Sequence, residues 1–226
     1  MADGGYTSVD GFGVTNVTSG IGESIKTALA DFFVSKLTFP RLRLASFPDM
    51  GYAASDFKAI ADKIKPGKVE VYRTNEEQVF RAKYCSYGDD NFYVLTPIIA
   101  NSPKVHLKTL IHETTHAIQD WKKWKESGLD REVDAHFAAA LYLVHSGKSH
   151  EANDDQVMTY FMIGAEAYKE DPKEIKSLWF NKIHKEMKNA VSQHYQFMHK
   201  KLFPDKDPAK VLKGFEKKNR LDGIPD

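Results

Sequence analysis

The hydrophobic period changes twice along this chain, and neither an all-α nor an all-β fold accommodates both changes. From Ile21 to Leu37 the apolar residues Ile21, Ile25, Leu29, Phe32, Phe33 and Leu37 recur at three- and four-residue spacing. That period predicts an amphipathic helix ending before Pro40. A second short helix is expected from Ser55 or Asp56, through Phe57, Ile60 and Ile64, to a stop at Pro66-Gly67. At residue 68 the texture becomes that of strands. Val69, Val71 and Tyr72 read as one strand. Residues 79–87 and 92–96 flank the turn cluster Gly88-Asp89-Asp90-Asn91 and read as an antiparallel hairpin. The helical period then returns. Ser102-Pro103 supplies a cap and a first-turn proline for a helix to about Trp124. Asp130 is expected to cap a further helix through Val144. Two more helices are expected over 155–170 and 173–200, the last opened by Asp171-Pro172. The expected architecture is α+β, a small antiparallel sheet packed on a mainly helical domain. The chain reads as a single domain, with 1–20 as a mobile lead-in or short edge strand and about 204–226 as a loosely packed tail.

Composition narrows the function classes. With 32 Lys and Arg against 31 Asp and Glu, there is no broad electrostatic footprint for nucleic acid or an anionic membrane, and neither is expected as a partner. The one cysteine, Cys85, rules out an intrachain disulfide and a Cys-based zinc knuckle. In a predicted strand it reads as a small buried hydrophobe. The start Met-Ala-Asp-Gly-Gly-Tyr lacks the basic and apolar regions of a signal peptide. The longest apolar run, Phe137 to Val144, is far short of the ~18–20 residues a bilayer span needs. A soluble, cytoplasmic protein is expected, with export by a signal-less route left open.

The chemistry concentrates in His112-Glu113-Thr114-Thr115-His116. On a helix, residues four apart share a face about 6 Å apart along the axis. Two imidazoles so placed can converge on one zinc ion at ~2.0–2.1 Å each, and one zinc per chain is expected. Glu113 is rotated by one residue. Its carboxylate can reach a zinc-bound water without entering the coordination sphere, take the water's proton and pass it to a leaving amine.

The run His112-Glu-Thr-Thr-His-Ala-Ile-Gln-Asp-Trp121 resembles the active-site helix of the zincin metallopeptidases. It is similar to the thermolysin-like form, in which an Asp follows the second His by four residues, the place Asp120 holds here. That resemblance implies a zincin-like fold around the helix, peptide-bond hydrolysis, and Asp120 accepting a hydrogen bond from a ligand ring. The gluzincin branch takes its third ligand as a Glu from the following helix. Here that segment is Asp130-Arg-Glu132-Val-Asp134-Ala-His136, and its Glu-x-Asp-Ala core resembles the second motif of several bacterial zincins. The resemblance makes Glu132 the third ligand, sixteen residues beyond His116. His136 stands at the longer, thermolysin-like spacing of twenty. Glu132 and His136 are four apart and share a face, so either can reach a metal while the other donates a hydrogen bond to an oxyanion. The assignment taken is Glu132 as ligand and His136 as oxyanion donor. The resemblance spans about 92–145, a quarter of the chain.

The expected function is a zinc-dependent metallopeptidase acting on a peptide or protein, with Glu113 as general base. Two alternatives are a catalytically silent zincin-like binding or metal-sensing module and a delivered effector or toxin protease. The first has no need of a carboxylate at Glu113. Substrate specificity and oligomeric state are not legible. Tyr142, His145, Tyr160, Tyr168, His184, His194, Tyr195 and His199, on the later helices, each read better as surface or packed side chains than as oxyanion donors.

Overall fold

A computed structural model describes residues 7–9, 12–31, 34–44, 50–76, 78, 81–87, 90–124, 127–152 and 157–202. The expected tail from about 204 lies outside them, as do residues 1–6, 10 and 11 of the expected lead-in, Phe32 and Phe33, and the Gly88-Asp89 turn. In chain order the first elements are β1 (Thr7–Val9), β2 (Phe12–Asn16), α1 (Glu23–Leu29), β3 (Phe39–Pro40), β4 (Gly51–Tyr52) and α2 (Ala54–Lys63). Then come β5 (Val69–Thr74), β6 (Ala82–Tyr87), β7 (Asp90–Leu95), α3 (Pro97–Asn101) and α4 (Leu107–Trp121). The chain continues through α5 (Gly128–Ser146), α6 (Met158–Glu170) and α7 (Leu178–Leu202). The fold is α+β, as the change of period requires.

The contacts divide the chain into two compact units. The first takes in the described residues of Met1–Ser35 and Ala53–Trp124, the second those of Lys36–Tyr52 and Lys125–Arg220.

The first unit is a five-stranded sheet, in the order β1-β2-β5-β7-β6, with helices packed on it. The hairpin β6–β7 pairs antiparallel, with Tyr84 opposite Tyr93 and Cys85 opposite Phe92. Its partner β5 pairs with β7 in parallel, so the sheet is mixed rather than purely antiparallel. The chain reaches β7 only through β6, which takes the outer position and leaves β7 to pair with β5. Strand β7 is buried on both faces. Phe92 and Val94 join Val14 and Cys85 in a small apolar cluster, and Tyr93 and Leu95 point the other way. Cys85 is buried and free, as expected of a small hydrophobe.

The helical reading of 21–37 holds only in part. A single π turn over Thr18–Gly22 leads into α1, which stops at Leu29, and Val34–Lys36 forms a separate 3-10 turn. Ile25 and Leu29 form the buried stripe of α1.

The second unit is built on α5, which packs on α6 and α7. Phe137, fully buried, meets Phe39, Tyr168 and Phe180 edge-on. The two-residue ribbon β3–β4 stacks Phe39 on Tyr52 at 4.6 Å. Gly51 is required there, because a Cβ would lie 2.4 Å from the Phe39 carbonyl oxygen. Asp171-Pro172 caps a short 3-10 turn rather than α7 itself. Among the described residues no helix is long and apolar enough to cross a membrane.

Candidate metal centre

The motif helix begins later than its sequence suggests. Thr96-Pro97 opens α3, and Ser102, restricted by the proline after it, leaves the helical region at φ −146° and ψ 61°. Pro103 to His106 form a turn, and α4 starts at Leu107. Leu107, Leu110, Ile111, Ala117 and Ile118 form its buried stripe. Thr114 and Thr115 are buried as well. The Thr115 hydroxyl donates to the Ile111 carbonyl, and Thr114 shares a 3.0 Å hydrogen bond with the Tyr93 hydroxyl. Burial holds the Tyr93 phenol well above its ordinary range; the Thr114 bond opposes this and the Glu113 charge adds to it. Tyr93 is therefore a neutral hydrogen-bonding group.

His112 and His116 turn toward one another. Their Nε2 atoms are 3.3 Å apart, with ring centroids at 4.9 Å and planes crossed at 81°. Two nitrogens each ~2.0–2.1 Å from a zinc at the tetrahedral angle must lie about 3.3–3.4 Å apart. The pair meets that requirement. The other nitrogen of His116, Nδ1, lies 2.9 Å from Gln119 Oε1. The sequence offered Asp120 as an acceptor for a ligand ring; its carboxylate accepts a hydrogen bond from the Tyr84 hydroxyl at 2.8 Å. Both residues lie on the His116 side of the helix, one turn on. The longer Gln119 reaches back to the ring, while the shorter Asp120 meets β6.

Glu113 is 9% exposed, and its Oε2 accepts the Tyr84 backbone N–H at 2.8 Å. Tyr84 sits on β6, which is the outer strand of the sheet among the described residues, and its amide faces away from β7. One strand residue thus grips α4 twice, by its amide at Glu113 and by its hydroxyl at Asp120. That hydroxyl also lies 2.8 Å from Asn91 Oδ1. Sequence reasoning missed both Gln119 and Tyr84. Gln119 was legible as a buried polar residue three positions past the second His. Tyr84 was not, because the register of strand against helix is set by distant residues.

In the second unit, α5 carries the other expected site residues. Its cap is Ser127, not Asp130. The Ser127 Oγ accepts the Asp130 N–H at 3.2 Å and its hydroxyl donates to Asp130 Oδ2 at 2.7 Å. Gly128 is tolerated at the first helical position, so the Ser127-Gly128 pair starts a helix as well as breaking the one before. The Asp130 carboxylate also takes Lys188 at 2.6 Å and Arg43 at 3.5 Å. Although 94% buried, it is held below its ordinary range, because the Lys188 and Ser127 hydrogen bonds and the Lys188 and Arg43 charges together outweigh the opposing burial. Asp134 accepts the Leu42 N–H at 3.0 Å and the Tyr52 hydroxyl at 2.8 Å, which fastens the β3–β4 ribbon to α5. Glu132 is buried one turn inside the helix, and His136, one turn further, stacks obliquely on Phe161 at 5.3 Å. Of the weaker candidates, the Tyr168 hydroxyl donates to the Thr38 carbonyl, Tyr160 is exposed, and the His199 side chain lies outside the described residues.

No protein-family model matches the chain, and no curated protein and no solved structure does.

Proposed function

We propose that this chain is a zinc-dependent metallopeptidase. The observation that carries the reading is the His112–His116 pair, whose Nε2 atoms stand at the separation a tetrahedral metal needs. A bound zinc would supply a Lewis acid that polarises a carbonyl and acidifies water. The chain's own part is then to hold the two imidazoles and to move a proton. His112 and His116 are two ligands. Glu113 takes the proton of the attacking water and returns it to the leaving amine, with Tyr84 N–H fixing the orientation of its carboxylate. The third ligand is assigned to Glu132 on the sequence pattern. The engagement of Asp130 with Lys188 and of Asp134 with Tyr52 supports the choice within that acidic segment. His136 is assigned as oxyanion donor. A cytoplasmic location belongs to the same proposal.

The test is metal analysis of protein purified without added metal or chelator, then cleavage of a peptide library. The expected outcome is about one zinc per chain, lost in His112→Ala and His116→Ala. Glu113→Gln should keep the zinc and lower hydrolysis roughly 10²-fold or more. Wild-type protein that takes up no zinc when it is supplied overturns the reading. Zinc binding with no cleavage by any preparation would leave the silent metal-binding module instead.

A further inference from the structure

Gln119 is fully buried, yet it is an amide and not an apolar residue. Burying an amide is costly unless its polar atoms are used. Its Oε1 lies 2.9 Å from His116 Nδ1. A carbonyl oxygen only accepts, so the hydrogen of this bond belongs to Nδ1. A neutral imidazole carries one N–H, which leaves Nε2 of His116 with a bare lone pair. That nitrogen is the one facing His112 Nε2 at 3.3 Å, the separation a shared metal needs.

From this geometry we infer that Gln119 is a positioning residue that holds His116 as the Nδ1–H tautomer, with Nε2 ready to bind a metal before any metal arrives. His116 is already in the binding tautomer. The inference deepens the zinc reading and rests on it for its purpose, but the tautomer itself is a property of the metal-free chain.

The test reads the tautomer directly, by long-range nitrogen–proton NMR of the imidazoles in metal-free protein at about pH 8, above the ordinary histidine range. The expected result is a protonated Nδ1 and a bare Nε2 on His116. Adding zinc should leave the His116 pattern in place. Gln119→Leu should scramble the His116 tautomer and weaken zinc binding about 10–100-fold, and Gln119→Glu should restore both. A wild-type His116 protonated at Nε2 overturns the inference. So does a Gln119→Leu protein with unchanged tautomer and zinc affinity. The wild-type measurement stands whether or not the variants fold. If His116 shows the expected tautomer but the wild type binds no zinc, the positioning role survives and the metallopeptidase reading fails.

Discussion

At the scale of single residues, the segment Asp130 to His136 separates groups that the sequence left crowded together. Asp130 is spent on Ser127, Lys188 and Arg43, and Asp134 on Leu42 and Tyr52. Helical geometry had already set Asp130 about 160° from Glu132. What remained hidden was the purpose of the two aspartates, because their partners other than Ser127 include residues 58 to 92 positions away along the chain. Two predictions belong here. Glu132→Ala should weaken zinc affinity sharply, while His136→Ala should keep most of the zinc and lose rate, both read by metal titration and turnover. An emptied site in His136→Ala beside a full one in Glu132→Ala would show that the roles are exchanged. Asp134 should be a residue of stability alone. Asp134→Ala strands a buried amide and a buried phenol, at about 1–3 kcal/mol each in a denaturant midpoint. Tyr52→Phe removes one of the two bonds and should cost less. Comparable losses from the two variants would show that the Leu42 bond contributes nothing.

At the scale of elements, the regular pieces were legible wherever local chemistry decides them. Helix α2 ran almost as its apolar period dictated, and the β6–β7 hairpin followed from its turn cluster. The errors fall where two local signals compete. Thr96-Pro97 and Ser102-Pro103 both look like helix starts, and the second marks a turn. Ser127 and Asp130 both look like caps, and the bonds between them make Ser127 the cap. The parallel β5–β7 pairing has no local signal at all. Helix α7 also carries a pH dependence. Burial, with the Lys188 charge, holds His184 below its ordinary value of 6.5, against a smaller opposing effect of Asp130. The folded state therefore prefers the neutral ring, and the unfolded chain binds the proton more readily. Stability from this group is present above pH 6.5 and is lost as pH falls from there through the lowered value. Denaturant midpoints measured across that window should fall, and His184→Gln should flatten the fall. An unchanged slope in the variant would remove His184 as its source.

At the scale of the whole molecule, the chain order and the packing order differ. Lys36–Tyr52 lies between α1 and α2 in sequence but belongs with α5, α6 and α7. A reading that treats the chain as one domain has no means of seeing this. The contacts that decide it join Phe39 to Phe137 and Tyr52 to Asp134, far apart in sequence. The zinc proposal has a consequence at this scale too. A ligand that binds only the folded state stabilises it by mass action, by about 2.7 kcal/mol when free ligand is 100 times its dissociation constant. For a chain of this length each kcal/mol moves the thermal midpoint by roughly 2–4 °C, so saturating zinc should raise it by about 5–10 °C. His112 and His116 belong to the first unit, so the transition that reports on the sheet and α4 must move. A chelator should reverse the shift, and His116→Ala should show none while keeping the midpoint of the chelated wild type. Equal midpoints with and without zinc at neutral pH would mean that the histidine pair, for all its geometry, holds no metal.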